Sequence, residues 1–323
     1  MRVMIAHSFY RMQGGEDGYV RQQFDLLRRR HDVLLFDKYN AELPGGASTA
    51  ARMLYSRRVR DEVEDVIRTF RPDIIHLHNA YPSLGPSVSL VAEEFHIPLV
   101  LTAHNYRLRC PNGFMFTAES LCERCVGGAY HNAVLHPCFL SKTQSIAYAS
   151  SLWAHRFILR LEDKASMFVC PSDFMRATLQ GWGIPRGKLT MIRNFTEPVA
   201  DADSSPGEYG VYVGRLSREK GVHVLLAALK SVGDPPFTIL GDGPESARLR
   251  QLSSELGLVN TNFGGRARAE IVDQVLRRAR LVVLPSVWNE NAPLAALEAM
   301  ARGRPLIVSA VGGLPELVDS GPG

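Results

Sequence analysis

The residues best suited to chemistry cluster in the second half of the chain. Pro285-Ser286-Val287-Trp288-Asn289-Glu290-Asn291-Ala292 leads out of an apolar run, and Pro293 opens a helix that ends near Gly303. Proline suits the first turn of a helix and glycine its end. N–H groups at the start of that helix, over Asn291, Ala292, Pro293 and Leu294, would form an anion site. Glu298 would stand ~10 Å further along the axis at ~1.5 Å per residue, placed to accept ribose hydroxyls. Glu290, on the loop, would face the group that a pyrophosphate carries. Two glutamates flanking a helix are common in proteins, so the pair needs company before it carries meaning.

That company comes from Tyr209-Gly210-Val211-Tyr212-Val213-Gly214-Arg215-Leu216-Ser217-Arg218-Glu219-Lys220-Gly221, a strand followed by a glycine turn. Arg215 and Lys220 at the strand's carboxyl end can neutralise a diphosphate, the arginine through a forked contact and the lysine as a point charge. A solvated basic loop would explain either cation alone. It does not explain both converging with a helix start. Leu240-Gly241-Asp242-Gly243-Pro244-Glu245 ends the next strand in a turn whose Gly241 could pass close to a nucleobase.

These segments need a scaffold, and the sequence alternates short β-branched runs with helical patterns, as parallel βαβ units do. In the first half, strands are expected at Val3–Ala6, Asp32–Phe36, Asp73–His78, Pro98–Thr102, Met167–Cys170 and Leu189–Ile192. Amphipathic helices are expected at Gly18–Arg30 and, more apolar, at Ile146–Leu161. A polar, turn-rich linker over Thr196–Gly207 separates a second series: Tyr209–Val213, Phe237–Leu240, Thr261–Phe263, Leu281–Leu284 and Leu306–Ser309, then a short helix at Leu314–Val318. The reading is an α/β chain with a first domain over 1–197 and a second over 208–323. After the turn Asp319–Gly323 another strand would be expected, so the second domain reads as truncated at its C-terminus.

Composition agrees with two soluble domains. The chain has 323 residues, 46% hydrophobic and 22% charged, with a formal charge of +4 and no long basic tract. That mild charge suits anionic phosphates, or peripheral contact with an anionic membrane, better than a nucleic-acid surface. No run reaches the ~18 apolar residues of a membrane span. The opening Met1-Arg2 leads directly into a buried strand rather than a signal peptide. Cytoplasmic residence is expected, with peripheral contact at the inner membrane face compatible with it.

The order Gly-Arg-Leu…Glu-Lys-Gly, Gly-Asp-Gly-Pro-Glu, Glu290-x7-Glu298 and Val311-Gly312-Gly313-Leu314-Pro315-Glu316 resembles retaining family-4 glycosyltransferases over nearly the whole chain. The resemblance implies a GT-B fold, two Rossmann-like domains facing across a cleft, and no cofactor for catalysis. It implies that Arg215 and Lys220 hold the donor diphosphate, Glu298 the ribose and Glu290 the transferred sugar. In the first domain, Gly14-Gly15-Glu16 matches a glycine loop that approaches donor phosphate and acceptor. His104, in Leu101-Thr102-Ala103-His104-Asn105-Tyr106, matches a histidine that contacts the donor sugar. The implied reaction moves a sugar from a UDP or GDP sugar to a glycan or lipid-linked acceptor hydroxyl with retention of configuration. A GT-B epimerase or phosphorylase, or a non-catalytic GT-B binding protein, is the alternative; a zinc-ribbon nucleic-acid module would leave these motifs unexplained.

Cys110, Cys122, Cys125 and Cys138 remain. Their C-x11-C-x2-C-x12-C pattern lies in a loop-rich insertion over Arg109–Phe139 and could close a tetrahedral structural Zn²⁺ site, with His131 and His136 as alternative ligands and buried free thiols as the plain reading. Similar Cys-bearing insertions occur in one subgroup of the family. Cys170, within a strand, reads as core.

Overall fold

The computed structural model describes residues 1–11, 14–43, 46–136, 138–139, 141–199 and 207–319. The chain divides into two compact units, Met1–Arg193 and Asn194–Gly323. Asn194–Glu197, read from the sequence as the end of the first domain, therefore groups with the second unit. Most of the expected linker (200–206) and the terminal turn (320–323) lie outside the described residues.

The first unit runs β1 (Arg2–Phe9), α1 (Gly15–Leu27), β2 (Asp32–Tyr39), α2 (Gly46–Leu54), α3 (Arg57–Phe70), β3 (Ile74–Leu77), α4 (Ser87–Glu94) and β4 (Leu99–Thr102). An insertion follows with β5 (Phe116–Thr117), β6 (Ser120–Leu121) and α5 (Asn132–Leu135). The unit closes with α6 (Lys142–Trp153), α7 (Leu161–Lys164), β7 (Met167–Cys170), α8 (Asp173–Gly181) and β8 (Leu189–Met191). Its sheet is parallel, in the order β2-β1-β3-β4-β7-β8. Central β1 is buried on both faces, and the period of two divides its side chains. Val3 and Ile5 pack with Val20 and Phe24 of α1. Met4 and Ala6 pack with Val59, Val63 and Ile67 of α3 and with Val88 and Val91 of α4.

Two helices differ from expectation. α1 starts at Gly15 rather than Gly18, because the Asp17 carboxylate accepts the Gly14 N–H at 3.0 Å and fixes the first turn early. The apolar run Ile146–Leu161 is not one helix. Ser141 caps α6 by accepting the Gln144 N–H, a π-helical turn covers Ala154–Ile158, and Arg160 breaks the run at φ 48° before α7.

The second unit runs β9 (Tyr209–Val213), α9 (Val222–Ser231), β10 (Phe237–Leu240), α10 (Ser246–Glu255), β11 (Thr261–Gly265), α11 (Ala269–Arg277), β12 (Ala279–Leu284), α12 (Leu294–Ala301), β13 (Leu306–Val308) and α13 (Pro315–Asp319). Its parallel sheet has the order β11-β10-β9-β12-β13. Adjacent residues of β9 again feed opposite layers. Tyr212 joins Leu225, Leu226 and Leu229 of α9 on one face, and Val211 joins Ala296 and Ala299 of α12 on the other. Among the described residues no helix is long and apolar enough to cross a membrane.

Candidate active site

The strand order of the second sheet reverses at β9, which is flanked by β10 and β12. In open α/β sheets a ligand crevice forms outside the carboxyl ends of the strands at such a switch point. The loops leaving β9 and β12 carry the Arg215–Lys220 and Ser286–Leu294 segments, and they are laced together. The Val287 N–H donates to the Glu219 carbonyl at 2.9 Å. Gly221 turns at φ +69° with its Cα so close to the second loop that a Cβ would lie 1.9 Å from the Pro285 carbonyl oxygen.

Within this knot Lys220 Nζ donates to Glu290 Oε1 at 2.6 Å, and the Ser286 hydroxyl donates to the same oxygen at 2.6 Å. The Lys220 ammonium also lies 5.4 Å from the centre of the Trp288 ring. Glu290 is buried, so these contacts fix a charged pair in a sparsely hydrated place. Arg215 stands apart. It is exposed, its carbonyl accepts from the Tyr212 hydroxyl at 2.8 Å, and its guanidinium makes no hydrogen bond among the described residues.

α12 begins at Leu294, one residue after Pro293. Pro293 caps it in an extended conformation and contributes no N–H, so the anion-binding end narrows to the first turn after it. Asn291 is buried, and the Ala292 carbonyl accepts from Asn194 Nδ2 at 2.8 Å. Glu298 consequently stands one turn inside the helix, ~6 Å along the axis from Leu294 rather than ~10 Å from the loop. Burial raises its carboxyl pKa, an effect that Arg302 opposes. Gly241 lies against the Gly214 carbonyl at the end of β10, its N–H bonded to the Gly265 carbonyl at 2.8 Å.

The first unit carries its own polar cluster at the carboxyl ends of β1, β3 and β4. His104 Nε2 and His78 Nδ1 share a hydrogen bond of 2.8 Å, and His76 bonds to the Thr102 hydroxyl at 2.7 Å. Desolvation lowers all three histidines, His104 to about 3 and His76 to about 4, so they are neutral at pH 7. His7 reaches Asp17 at 2.9 Å with both side chains buried. Gly14 is extended and Gly15 opens α1. Beside them, Glu16 accepts from the Tyr10 hydroxyl at 2.9 Å and from Asn105 Nδ2 at 3.3 Å, and burial raises the Glu16 carboxyl. A cavity of roughly 80 Å³ lies beside His78, Asn79, Tyr81, His104, Asn105 and Arg107.

Sequence reasoning did not single out Asp17, Tyr10, His76 or Ser286. The His76-Leu77-His78 alternation was the available signal, since a strand puts both histidines on one face. Asp17 carried no signal of its own, because it meets His7 of β1 and the backbone N–H groups of Tyr10 and Gly14 only in the folded chain.

The model for Glycosyltransferase Family 4 matches residues 19–198, and that for Glycosyl transferases group 1 matches residues 202–322. The chain belongs to glycosyltransferase family 4. This family-4 chain is 30% identical over 302 residues to the Bacillus subtilis protein named as a teichuronic acid biosynthesis glycosyltransferase, TuaC, across 92% of this chain and 67% of that one. It is 30% identical over 268 residues to a glycogen synthase of Mycobacterium tuberculosis, covering 79% of this chain and 56% of the synthase. It thus spans between about half and two thirds of the length of these relatives. Among solved structures, Anabaena HepE in complex with UDP and glucose superposes with a TM-score of 0.62 at 20% identity, over 98% of this chain and 82% of that one. That likeness extends the GT-B architecture to both parallel-sheet units.

Proposed function

We propose that the protein transfers a sugar from a nucleoside diphosphate sugar to an acceptor hydroxyl. The observation that carries this reading is the Lys220–Glu290–Ser286 network at the mouth of α12. A leaving diphosphate gathers negative charge as the sugar–oxygen bond breaks. A preorganised ammonium, an arginine and the first turn of a helix at that place stabilise the charge without reorganisation. Lys220 and Arg215 serve the diphosphate, with Leu294 and its neighbours at the helix start; Glu298 accepts the ribose hydroxyls and Glu290 those of the sugar. Gly241 passes the base. Gly14 and Gly15 serve donor phosphate, and His104, neutral and hydrogen-bonded to His78, serves the sugar. No covalent intermediate is invoked, and retention through front-face substitution fits this set of residues.

The acceptor is a glycan or a lipid-linked sugar, for which the cavity beside His104 and Arg107 offers room. Exposed Trp153, Phe157 and Ile158 near Arg156 and Arg160 support peripheral contact with an anionic bilayer. The deciding experiment is a calorimetric titration with UDP, GDP and ADP, followed by product analysis with the corresponding sugar donors. UDP is the first probe, because solved relatives hold it. Saturable binding of one nucleotide that Lys220→Ala weakens supports the reading. Binding that survives the substitution unchanged overturns the site, and sugar release that never reaches an added acceptor overturns the transfer.

A further inference from the structure

The insertion between β4 and α6 has little regular secondary structure. Its strands are two residues each and its helix four, and the core it shares with α6 gathers only Cys125, Tyr130, Ala133, Ala149 and Leu152 as buried residues. A loop-rich segment of this kind is one that a bound metal can order.

Four thiols stand where such a metal would go. Cys110, Cys122, Cys125 and Cys138 line one small cavity together with Arg109, Thr117 and Phe116, whereas neither His131 nor His136 lines it. Cys110 and Cys125 are each 8% exposed. The polar atoms around the sulfurs are mostly donors. Backbone N–H groups of Asn112, Gly113 and Met115 reach the Cys110 sulfur, that of Ala133 reaches Cys125, and the Thr117 side chain reaches Cys138. Arg124 Nη1 lies 3.6 Å from the Cys122 sulfur. One contact has the opposite sense: Cys110 Sγ lies 2.9 Å from Asn112 Oδ1, as a protonated thiol would.

We propose that Cys110, Cys122, Cys125 and Cys138 together bind one soft divalent cation of the zinc class as a structural site. N–H donors around sulfur are the kind of outer contact that orients metal ligands. The four cysteines supply the tetrahedral soft set, and the cation at Arg124 offsets part of the net negative charge of a tetrathiolate complex. Binding exchanges four thiol protons for the ion, and those protons leave to solvent. As they stand, no three His, Cys, Asp or Glu side chains among the described residues are close enough together to hold a metal ion. The sulfurs must therefore turn inward from the cavity wall to reach ~2.3 Å from an ion at its centre.

The test is elemental analysis of full-length protein purified under reducing conditions without chelator. It is joined by release of the ion with an organomercurial and by intact mass under denaturing conditions. About one zinc per chain is expected, falling to below about a tenth in Cys122→Ser/Cys125→Ser and unchanged in Cys170→Ser. Should the double variant fail to fold, Cys138→His is the second measurement, since an imidazole preserves a ligand and should retain the ion. Metal-free folded protein, an intact mass showing disulfides among these cysteines, or zinc that persists in the folded double variant would each overturn the site. None of these readouts depends on sugar transfer.

Discussion

Lys220 and Glu290 lie 70 positions apart in sequence, yet their side chains meet at 2.6 Å. Neither belongs to a strand or an α-helix; each sits on a loop leaving one of two adjacent parallel strands, β9 and β12. The sheet therefore brings the pair together, and Ser286 holds it by donating to the same carboxylate oxygen.

Lys220→Ala should reduce turnover by about 10²–10³, the usual scale for losing one preorganised charge-stabilising group. Glu290→Gln keeps the shape and should also lower turnover, since it loses the charge that orients Lys220. Initial rates with a saturating donor, on variants whose circular dichroism matches the parent, check both. A near-parental rate in either variant removes that residue from the machinery.

Gly221 joins the same two loops by backbone alone. Alanine there would place a Cβ 1.9 Å from the Pro285 carbonyl and would hold a φ of +69° that side chains avoid. Gly233 makes a useful control, with φ +86° and open space around it. Gly233→Ala should cost about 1 kcal/mol through the left-handed conformation alone, within the range such strain usually takes. Gly221→Ala should cost more and should also weaken nucleotide binding. Thermal denaturation and titration of both variants give the comparison, and equal losses would show that the close approach does not matter.

How much of this was legible beforehand follows from which interactions are local. Strands such as Met167–Cys170, Tyr209–Val213 and Phe237–Leu240 have the bounds that their apolar runs suggest, because burial on both faces leaves a continuous signal. The start of α12 falls one residue after the expected Pro293, since proline is compatible with either the first turn or the cap. Ser286 and Asp17 were invisible for another reason. Ser286 meets Glu290 four residues on across an irregular loop that has no periodicity to align them, and Asp17 meets His7 of β1 as well as the nearby Gly14 N–H.

The buried histidines predict an acid-sensitive first unit. His104 and His76 titrate at about 3 and about 4 in the folded chain, and His78 is also depressed; the unfolded chain returns all three to about 6.5. Below pH 6.5 the unfolded state therefore binds more protons than the native state, and stability falls as pH falls toward the folded values. Each such histidine contributes up to about 1.4 kcal/mol per pH unit within that window. Carboxylates add their own acid dependence, so the informative quantity is the difference between parent and His76→Gln across pH 4–6.5. The variant should show the shallower slope in urea denaturation, and identical slopes would mean that His76 is protonated in the native state.

The last prediction concerns the base of the Cys-bearing insertion. Arg109 is 3% exposed, and its guanidinium engages both carboxylate oxygens of Glu162, one of them through Nη2 at 2.6 Å. The fork is shared with the Trp182 carbonyl at 3.3 Å, so one arginine joins the insertion to α7 and to the end of α8. Glu162→Ala would strand that cation in a poorly hydrated place, at a cost of about 3–5 kcal/mol. Replacing both partners, as in Arg109→Met/Glu162→Leu, removes the desolvated charge and should recover a large part of the loss. Chemical denaturation of the parent, Glu162→Ala, the single variants Arg109→Met and Glu162→Leu, and the double variant closes the cycle. A double variant no more stable than Glu162→Ala would mean that the arginine's hydrogen bonds to backbone, rather than its charge pairing, hold the insertion in place.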